Sequence, residues 1–218
     1  KPMRWLSSNS RYKCAYSYAP PFGYDLCIRK ITTEEKGQLD LSSLVSSVYG
    51  AEPVHYESVK RFNTFFADCG LLETALRPGF GMAETVIMFS ESDRLRTVQI
   101  DREELETKGR LKLADESTPP GRVKRLVNLG PSMQGHEVVI KGPDNSALPE
   151  GIVGEILLSG PSVCEGYFQN PAATRETFQQ QINDKDKPFL STGDLVLLWK
   201  GALYFAGRLK DIIIIRGR

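Results

Sequence analysis

A glycine-rich stretch in the first half of the chain holds one aromatic residue between two glycines, with a carboxylate four residues further on. It reads Gly79-Phe80-Gly81-Met82-Ala83-Glu84. The glycines permit a tight turn and a close approach of the backbone to a ligand. Phe80 can stack on a purine, which is worth about 1–3 kcal/mol per base, and Glu84 can offer Mg²⁺ a hard oxygen ligand beside phosphates. The simpler interpretation is a turn before a buried strand with Glu84 solvated, and it would be preferred if no later segment agreed.

Two later segments agree with a nucleotide site. Ser191-Thr192-Gly193-Asp194 precedes an apolar run. We therefore expect Asp194 on a turn beside a strand, where its carboxylate can accept hydrogen bonds from both hydroxyls of a ribose. The segment Gly207-Arg208-Leu209-Lys210-Asp211 is predicted to close the last hairpin and to supply a guanidinium for the same sugar. Three motifs in this order are a far more specific signal than any one of them.

Phe80, Glu84, Asp194 and Arg208 together resemble the nucleotide site of the adenylate-forming ligases, the superfamily of acyl-CoA synthetases, luciferases and peptide-synthetase adenylation domains. The resemblance covers essentially the whole chain, and it narrows to the fatty acyl-AMP ligases through residues 22–30, 49–54 and 79–84. By that pattern, residues 22–26 and 50–53 line the acyl pocket and the floor under the adenine. Tyr49 departs from the pattern because a small polar residue is expected there, so the pocket wall and the acyl-chain length stay open.

The resemblance implies a ligase that converts a fatty acid and ATP to an acyl-adenylate and pyrophosphate. The acyl group would then pass to an acyl carrier protein or polyketide synthase in lipid or polyketide biosynthesis. Phe80 would stack on the adenine, and Asp194 with Arg208 would hold the ribose. Glu84 would be the catalytic residue that holds Mg²⁺, and Asp211 would lie at the hinge to a C-terminal domain. The residues expected to bind ATP or AMP are Gly50, Ala51, Glu52, Gly79, Phe80, Gly81, Met82, Ala83, Asp194 and Arg208.

The predicted fold class is α/β. Strands at residues 12–19 and 44–49, a helix at 22–31, a polar connection from residue 32 and a helical apolar stripe over 56–69 favour a parallel sheet with flanking helices across residues 1–89. Residues 90–121, with a short helix at 101–106, resemble the family insertion that is thought to tether the C-terminal domain; a charged surface loop is the alternative. Short strands and frequent turns predict a small distorted barrel over residues 122–218.

One helix in that last region, and the segment just before it, can be assigned in more detail. Asn170 is predicted to cap a helix that begins at Pro171 and carries Phe178 and Ile182 on one face. Gly166 and Tyr167, just before it, are assigned to the scaffold, because a glycine in a strand run usually marks a bulge or close packing. His55 and His136 have no carboxylate or thiol at ligand spacing, so we predict no further metal site or triad.

Composition excludes several classes of partner. The chain has 218 residues, 40% of them hydrophobic, which is enough to bury a core as one large or two small domains. Its net charge is +1 with basic and acidic residues interspersed, so we expect no nucleic-acid partner and no anionic membrane surface. No apolar run reaches the roughly 20 residues that span a bilayer. The four cysteines lie far apart in apolar segments, which favours buried reduced thiols and a cytoplasmic location.

Two rival functions stay open at this point. A long-chain acyl-CoA synthetase would make the same adenylate but use coenzyme A as the acceptor. A non-catalytic adenylate-ligase homologue would bind lipid or protein partners. The expected mark of the non-catalytic class is loss of Glu84, Asp194 or Arg208, and all three are present.

The sequence also reads as an internal piece of a larger protein. Lys1-Pro2-Met3 is not a typical start, and the four isoleucines at residues 212–215 need both faces covered. We find no Gly/Ser/Thr-rich phosphate loop, and none of the lysines lies in the C-terminal catalytic motif of the family.

We therefore predict that the isolated chain makes no acyl-adenylate, because groups that neutralise charge at the reacting phosphate are missing from it. Pyrophosphate release would be measured with ATP and a fatty acid. Sustained release above a control without protein would contradict this prediction.

Overall fold

The computed structural model describes residues 1–183 and 185–211. The four isoleucines at residues 212–215 lie outside this part of the chain. In chain order the helices and strands are α1 (Pro2–Arg11), β1 (Tyr16–Ala19), α2 (Pro21–Lys30), α3 (Thr33–Lys36), β2 (Ser46–Tyr49), α4 (Tyr56–Phe66), β3 (Leu76–Phe80), β4 (Ser90–Glu91), β5 (Thr97–Asp101), α5 (Arg102–Lys108), β6 (Val123–Val127), β7 (Glu137–Lys141), β8 (Gly154–Ser159), α6 (Pro171–Phe178), β9 (Leu190–Trp199) and β10 (Ala202–Arg208).

The first half of the chain forms a four-stranded sheet in the order β1-β2-β3-β4. Strands β1, β2 and β3 run parallel, and the short β4 pairs antiparallel with β3. Because parallel neighbours need a crossover, α2 and α3 connect β1 to β2, and α4 connects β2 to β3. This arrangement confirms the predicted α/β class with a parallel sheet and flanking helices. It also delivers the ends of β2 and β3 to the same edge of the sheet.

An aromatic cluster packs the helices onto this sheet. The Tyr24 ring of α2 lies 4.6 Å from Tyr49 on β2 and 5.0 Å, edge to face, from Phe62 on α4. The Tyr24 hydroxyl contacts Ser47 Oγ at 2.8 Å and donates to the Val48 carbonyl at 2.9 Å, so this buried polar group is satisfied. Burial raises the pKa of Tyr24 above its usual range and that of Tyr49 to about 12. Tyr49 is therefore a core residue of the helix-covered face.

The second half of the chain is built from antiparallel strands. Strands β7 to β10 form a four-stranded sheet in the order β10-β9-β8-β7, and β5 pairs with β6 in a two-stranded sheet. An isolated bridge between Asn128 and Tyr204 links the two sheets. The central strand β8 is buried from Gly154 to Leu158 because apolar clusters cover both of its faces. The described strands form this pair of linked sheets, not a closed barrel.

The segment between the two halves is held by an ion pair whose carboxylate is buried. Asp101 is 2% exposed and accepts two hydrogen bonds from the Arg122 guanidinium, from Nε at 3.1 Å and from Nη2 at 2.6 Å. Its carboxylate also caps α5 by accepting from the Glu103 amide at 3.0 Å. These contacts, with Arg122 first among them, lower the pKa of Asp101. The predicted short helix is present as α5. The ion pair between Asp101 and Arg122 joins its N-terminus to the start of β6.

Several local predictions were wrong, and the reasons differ. The strand predicted at residues 12–19 is confined to β1, because α1 and its C-terminal turn extend through residue 12. The polar connection after residue 31 contains the short helix α3, which Thr32 begins with a capping box to Glu35. Helix α6 starts at Pro171 with Asn170 as its cap, as predicted, but ends before Ile182. Among the described residues, no helix is long and apolar enough to cross a membrane.

The four cysteines are free, but their burial differs from the prediction. Cys27 and Cys69 are buried, Cys14 is half-buried and Cys164 is exposed. Burial raises the pKa of the Cys27 thiol to about 12, so its reactive thiolate forms only at strongly alkaline pH. The expectation of buried thiols was therefore wrong for Cys164, which lies in the loop after β8.

We predict that Ellman's reagent at pH 8 modifies Cys164 first in the folded chain and leaves Cys27 unmodified until the chain is unfolded. The number of fast-reacting thiols would be counted by absorbance and located by mass spectrometry. The variant Cys164→Ser should lose that fast phase, whereas fast modification of Cys27 in the folded state would contradict the packing described above.

Candidate functional site

A cleft lies where the ends of β2 and β3 face the second sheet. One part of it is lined from the first sheet by residues just after β2 and at the end of β3, and from the second sheet by residues of β9 and β10. Its lining includes Ala51, Glu52, Gly79, Phe80, Gly81, Asp194, Phe205 and Arg208. The carboxyl ends of parallel strands are where open α/β sheets place their ligands. The position of the cleft therefore fits a binding site.

A second part of the cleft adjoins the first and shares four of its residues, Ala51, Gly79, Phe80 and Gly81. It adds three of the predicted site residues, Gly50, Met82 and Ala83. It also adds an apolar wall formed by Tyr18, Val48, Val86, Ile87 and Met88. The two parts together contain all ten residues that the sequence predicted for nucleotide binding. The structure thus brings these ten residues together, although they come from four separate segments.

Glycines make this close approach of backbone segments possible. A Cβ added to Gly81 would lie 1.9 Å from the Ile87 carbonyl oxygen, and one added to Gly50 would lie 2.8 Å from that of Gly79. No side chain fits at either distance. The turn after β3 therefore folds back on itself only because residue 81 has no side chain.

Phe80 is held between two other rings at the end of β3. Its ring centroid lies 4.9 Å from that of Phe89 and 6.2 Å from that of Phe205, both in edge-to-face orientations. Such arrangements are favourable for aromatic quadrupoles. Phe80 is half-buried and remains part of the cleft lining, so it offers an ordered aromatic surface.

Asp194 lies inside strand β9, not on a flanking turn as the sequence suggested. It is opposite Arg208 in the register of β9 and β10, and Arg208 Nε contacts Asp194 Oδ1 at 2.9 Å. The Asp194 side chain is 7% exposed and that of Arg208 is 60% exposed. The carboxylate is thus fixed by its neighbour while much of the guanidinium faces solvent at the cleft.

Glu84 lies in a short 3-10 turn, Ala83–Thr85, next to the cleft. Its Oε1 accepts a hydrogen bond of 2.7 Å from the Tyr167 hydroxyl, and its carbonyl accepts one of 2.9 Å from the Cys164 amide. The hydrogen bond to Glu84 raises the pKa of Tyr167, so the hydroxyl stays protonated as the donor. Assigning Tyr167 to the scaffold alone was therefore incomplete.

The loop that carries Tyr167 is itself ordered by α6. The Tyr167 amide donates to Thr174 Oγ1 at 2.9 Å, and its ring packs edge to face on Phe178 at 5.2 Å. Gly166 has φ +153° and lies against Thr174, where an added Cβ would be 2.3 Å from the Thr174 methyl group. Sequence reasoning missed the contact with Glu84 because the two residues are 83 positions apart.

Comparison with known proteins agrees with this geometry. Residues 1–168 match the family described as AMP-binding enzyme. The chain belongs to the AMP-binding enzyme family. This confirms the superfamily indicated by the three sequence motifs.

Individual relatives of this AMP-binding enzyme are fatty-acid ligases by name. The chain is 37% identical to the medium-chain-fatty-acid–[acyl-carrier-protein] ligase JamA of Moorena producens and 33% identical to the long-chain-fatty-acid–AMP ligase FadD26 of Mycobacterium tuberculosis. A crystal structure of the fatty acyl-adenylate ligase from L. pneumophila, in complex with acyl adenylate and pyrophosphate, superposes with a TM-score of 0.90 at 37% identity. In each case all of the chain is covered, and it spans 38% of the relative's length.

The family implies Mg²⁺, and Glu84 can be tested for that role. Its carboxylate is half-buried beside the cleft, and the partner at Oε1 is a neutral hydroxyl, which leaves the negative charge uncompensated by that contact. In the described part of the chain, no three His, Cys, Asp or Glu residues are grouped to hold a metal. Mg²⁺ in nucleotide enzymes usually needs only one or two carboxylates beside the substrate phosphates and water. Glu84 therefore meets the chemical requirement for one carboxylate ligand of such an ion.

Asp211, the predicted hinge residue, ends the 3-10 turn Leu209–Asp211 that follows β10 directly. Arg208 and this turn are therefore consecutive, which places the guanidinium of the predicted nucleotide site next to the predicted hinge. The hinge role itself stays a prediction.

We predict that Gly81→Ala lowers the free energy of unfolding by about 1–3 kcal/mol, because the new methyl group overlaps the backbone at Ile87. Urea denaturation would measure the change. Gly121→Ala is the matched control, since nothing lies within 4 Å of the added Cβ and the change there should stay below about 1 kcal/mol. Equal effects of the two substitutions would contradict the steric account of the turn.

Proposed function

We propose that the protein is a fatty acyl-AMP ligase, an enzyme that activates a fatty acid with ATP and delivers it to a carrier-protein thiol. The observation that carries this proposal is the meeting of Phe80, Asp194 and Arg208 in one cleft, together with the backbone segments at residues 50–52 and 79–83. A stacking ring and a ribose-binding carboxylate in one cleft at the end of a parallel sheet suit an adenosine. The names of the relatives supply the fatty-acid class.

In the first half-reaction, an oxygen of the fatty carboxylate attacks the α-phosphorus of ATP. The bond from that phosphorus to the bridging oxygen breaks, and pyrophosphate leaves with the electron pair. Catalysis of such a transfer rests mainly on positioning and on neutralising charge. We assign Phe80 to the adenine and Asp194 with Arg208 to the ribose. Glu84, steadied by Tyr167, would hold the Mg²⁺ that neutralises phosphate charge when it is bound.

In the second half-reaction, a thiolate attacks the carbonyl carbon of the acyl-adenylate and AMP leaves, which forms a thioester. We propose the phosphopantetheine arm of an acyl carrier protein or polyketide synthase as the source of that thiol. We further propose that residues 90–121 restrain a C-terminal domain that turns about Asp211. The joint between Asp101 and Arg122 supports this role because it fixes the segment to the start of β6. The free cysteines support a reducing compartment such as the cytoplasm.

The experiment is ATP–pyrophosphate exchange by the full-length protein with fatty acids of different length, followed by transfer to a phosphopantetheinylated carrier protein or to coenzyme A. We expect fatty-acid-dependent exchange and transfer to the carrier protein only. Equal transfer to coenzyme A would instead indicate an acyl-CoA synthetase. Nucleotide binding without exchange would indicate a non-catalytic homologue.

We also predict that Asp194→Ala weakens ATP binding by one to two decades, since losing charge-assisted hydrogen bonds to the ribose costs about 1.5–3 kcal/mol. Isothermal titration calorimetry would measure the affinity. Asp68→Ala is the control, because Asp68 is an exposed carboxylate just after α4 that pairs with Lys36 of α3 and does not line the cleft. Unchanged affinity in Asp194→Ala would remove Asp194 from the site.

A further inference from the structure

Strand β9 departs from regular pairing at residues 192–194, a stretch that ends with the candidate ribose carboxylate of Asp194. In the register with β8, Glu155 is opposite Leu195 but Leu157 is opposite Ser191. Three residues of β9 therefore face the single residue Ile156, which makes a bulge at residues 192–194. Gly193 has φ +70° within this bulge, a conformation that glycine adopts without strain.

The buried carboxylate of Glu155 accepts hydrogen bonds from polar groups at the bulge, where the regular backbone pairing of β8 with β9 is interrupted. Glu155 Oε1 accepts hydrogen bonds from the Ser191 hydroxyl and, at 3.2 Å, from the Gly193 amide. Within the bulge, Thr192 Oγ1 donates to the Ile156 carbonyl at 2.9 Å and accepts from the Asp194 amide at 3.0 Å. Glu155 and Thr192 therefore fix the backbone on either side of Gly193. This backbone in turn sets the direction in which the Asp194 side chain points.

A cation on the neighbouring strand pairs with Glu155. Lys141 on β7 is directly opposite Glu155 on β8, and its Nζ lies 2.9 Å from Oε2. The Glu155 side chain is 9% exposed and that of Lys141 is 18% exposed. A buried charge is costly unless it is paired and hydrogen-bonded, and here both carboxylate oxygens have charged or polar partners. Lys141 and Glu155 join β7 to β8, and the hydrogen bonds of Glu155 to Ser191 and Gly193 extend this connection to the bulge in β9.

From this arrangement we infer that Glu155, anchored by Lys141, is a positioning residue for nucleotide binding that acts through Asp194. Glu155 does not line the cleft, so it touches no part of the nucleotide in this account. It holds the bulge in the one shape that aims the Asp194 carboxylate at the cleft. The inference rests on the proposed function, because it requires Asp194 to bind the ribose.

The test compares ATP with 2′,3′-dideoxy-ATP, which lacks both ribose hydroxyls, by calorimetry on the full-length protein. The parent should bind ATP at least tenfold more tightly. Glu155→Gln should weaken ATP binding about five- to tenfold and leave the dideoxy nucleotide within twofold, because only the contact with the hydroxyls is lost. Glu137→Gln is the matched control, since it removes an exposed pair with Lys185 and Lys187 on the same sheet, away from the bulge. It should change neither affinity.

A double-substitution cycle separates positioning from general support of the sheet. In the Asp194→Ala background, Glu155→Gln should change ATP affinity less than twofold, because the residue through which it acts is already gone. If Glu155→Gln fails to fold, Ser191→Ala removes one donor to the same oxygen while keeping the ion pair. That variant should weaken ATP binding two- to threefold and spare the dideoxy nucleotide.

Equal loss for both nucleotides, or the same loss with and without Asp194, would overturn the inference and leave Glu155 a structural residue only. If the parent itself binds the two nucleotides equally, the ribose assignment of Asp194 falls, and this inference falls with it. The two failures are distinguishable because the second appears in the parent before any substitution is made.

Discussion

The cleft depends on close contact between backbone segments at the edge of the first sheet. Gly50 and Gly79 meet where β2 and β3 end, and Gly81 folds onto Ile87 immediately afterwards. Any side chain at these positions would push the turn away from the second sheet. Phe80 lies between Gly79 and Gly81. Because the turn is compact, the Phe80 ring contacts Phe205 on β10 and so links the two halves of the chain.

The second half of the chain contributes the two charged residues of this site, Asp194 and Arg208. Asp194 lies in an irregular part of β9 that other side chains stabilise. Asp194 and Arg208 are brought opposite each other by the pairing of β9 with β10, while the bulge before Asp194 is stabilised from β8 by Glu155. A regular strand would alternate its side chains strictly, so the bulge sets which face receives the carboxylate. Glu155, which does not line the cleft, thus contacts the backbone that carries the candidate ribose carboxylate.

The sequence could indicate that the ten predicted nucleotide-site residues share one cleft, because most of them lie in short motifs at or just after strand ends; their binding role stays a prediction. Contacts between distant residues could not be predicted in this way. Tyr167 and Glu84 are 83 positions apart, and no periodicity connects them. Tyr49 illustrates a different limit: its alternation with Ser47 is visible in the sequence, but only the packing of Tyr24 shows that this face is the core. Strand number likewise does not determine whether a sheet closes, so the sequence could indicate the short antiparallel strands of the second half but not how their sheets are joined.

The most direct test of the account is a crystal structure of the full-length protein with a non-hydrolysable acyl-adenylate analogue. The account predicts that the adenine lies against Phe80 and that the ribose hydroxyls are within hydrogen-bond distance of Asp194. An adenosine bound elsewhere, or bound in the cleft without contact to Asp194, would contradict it.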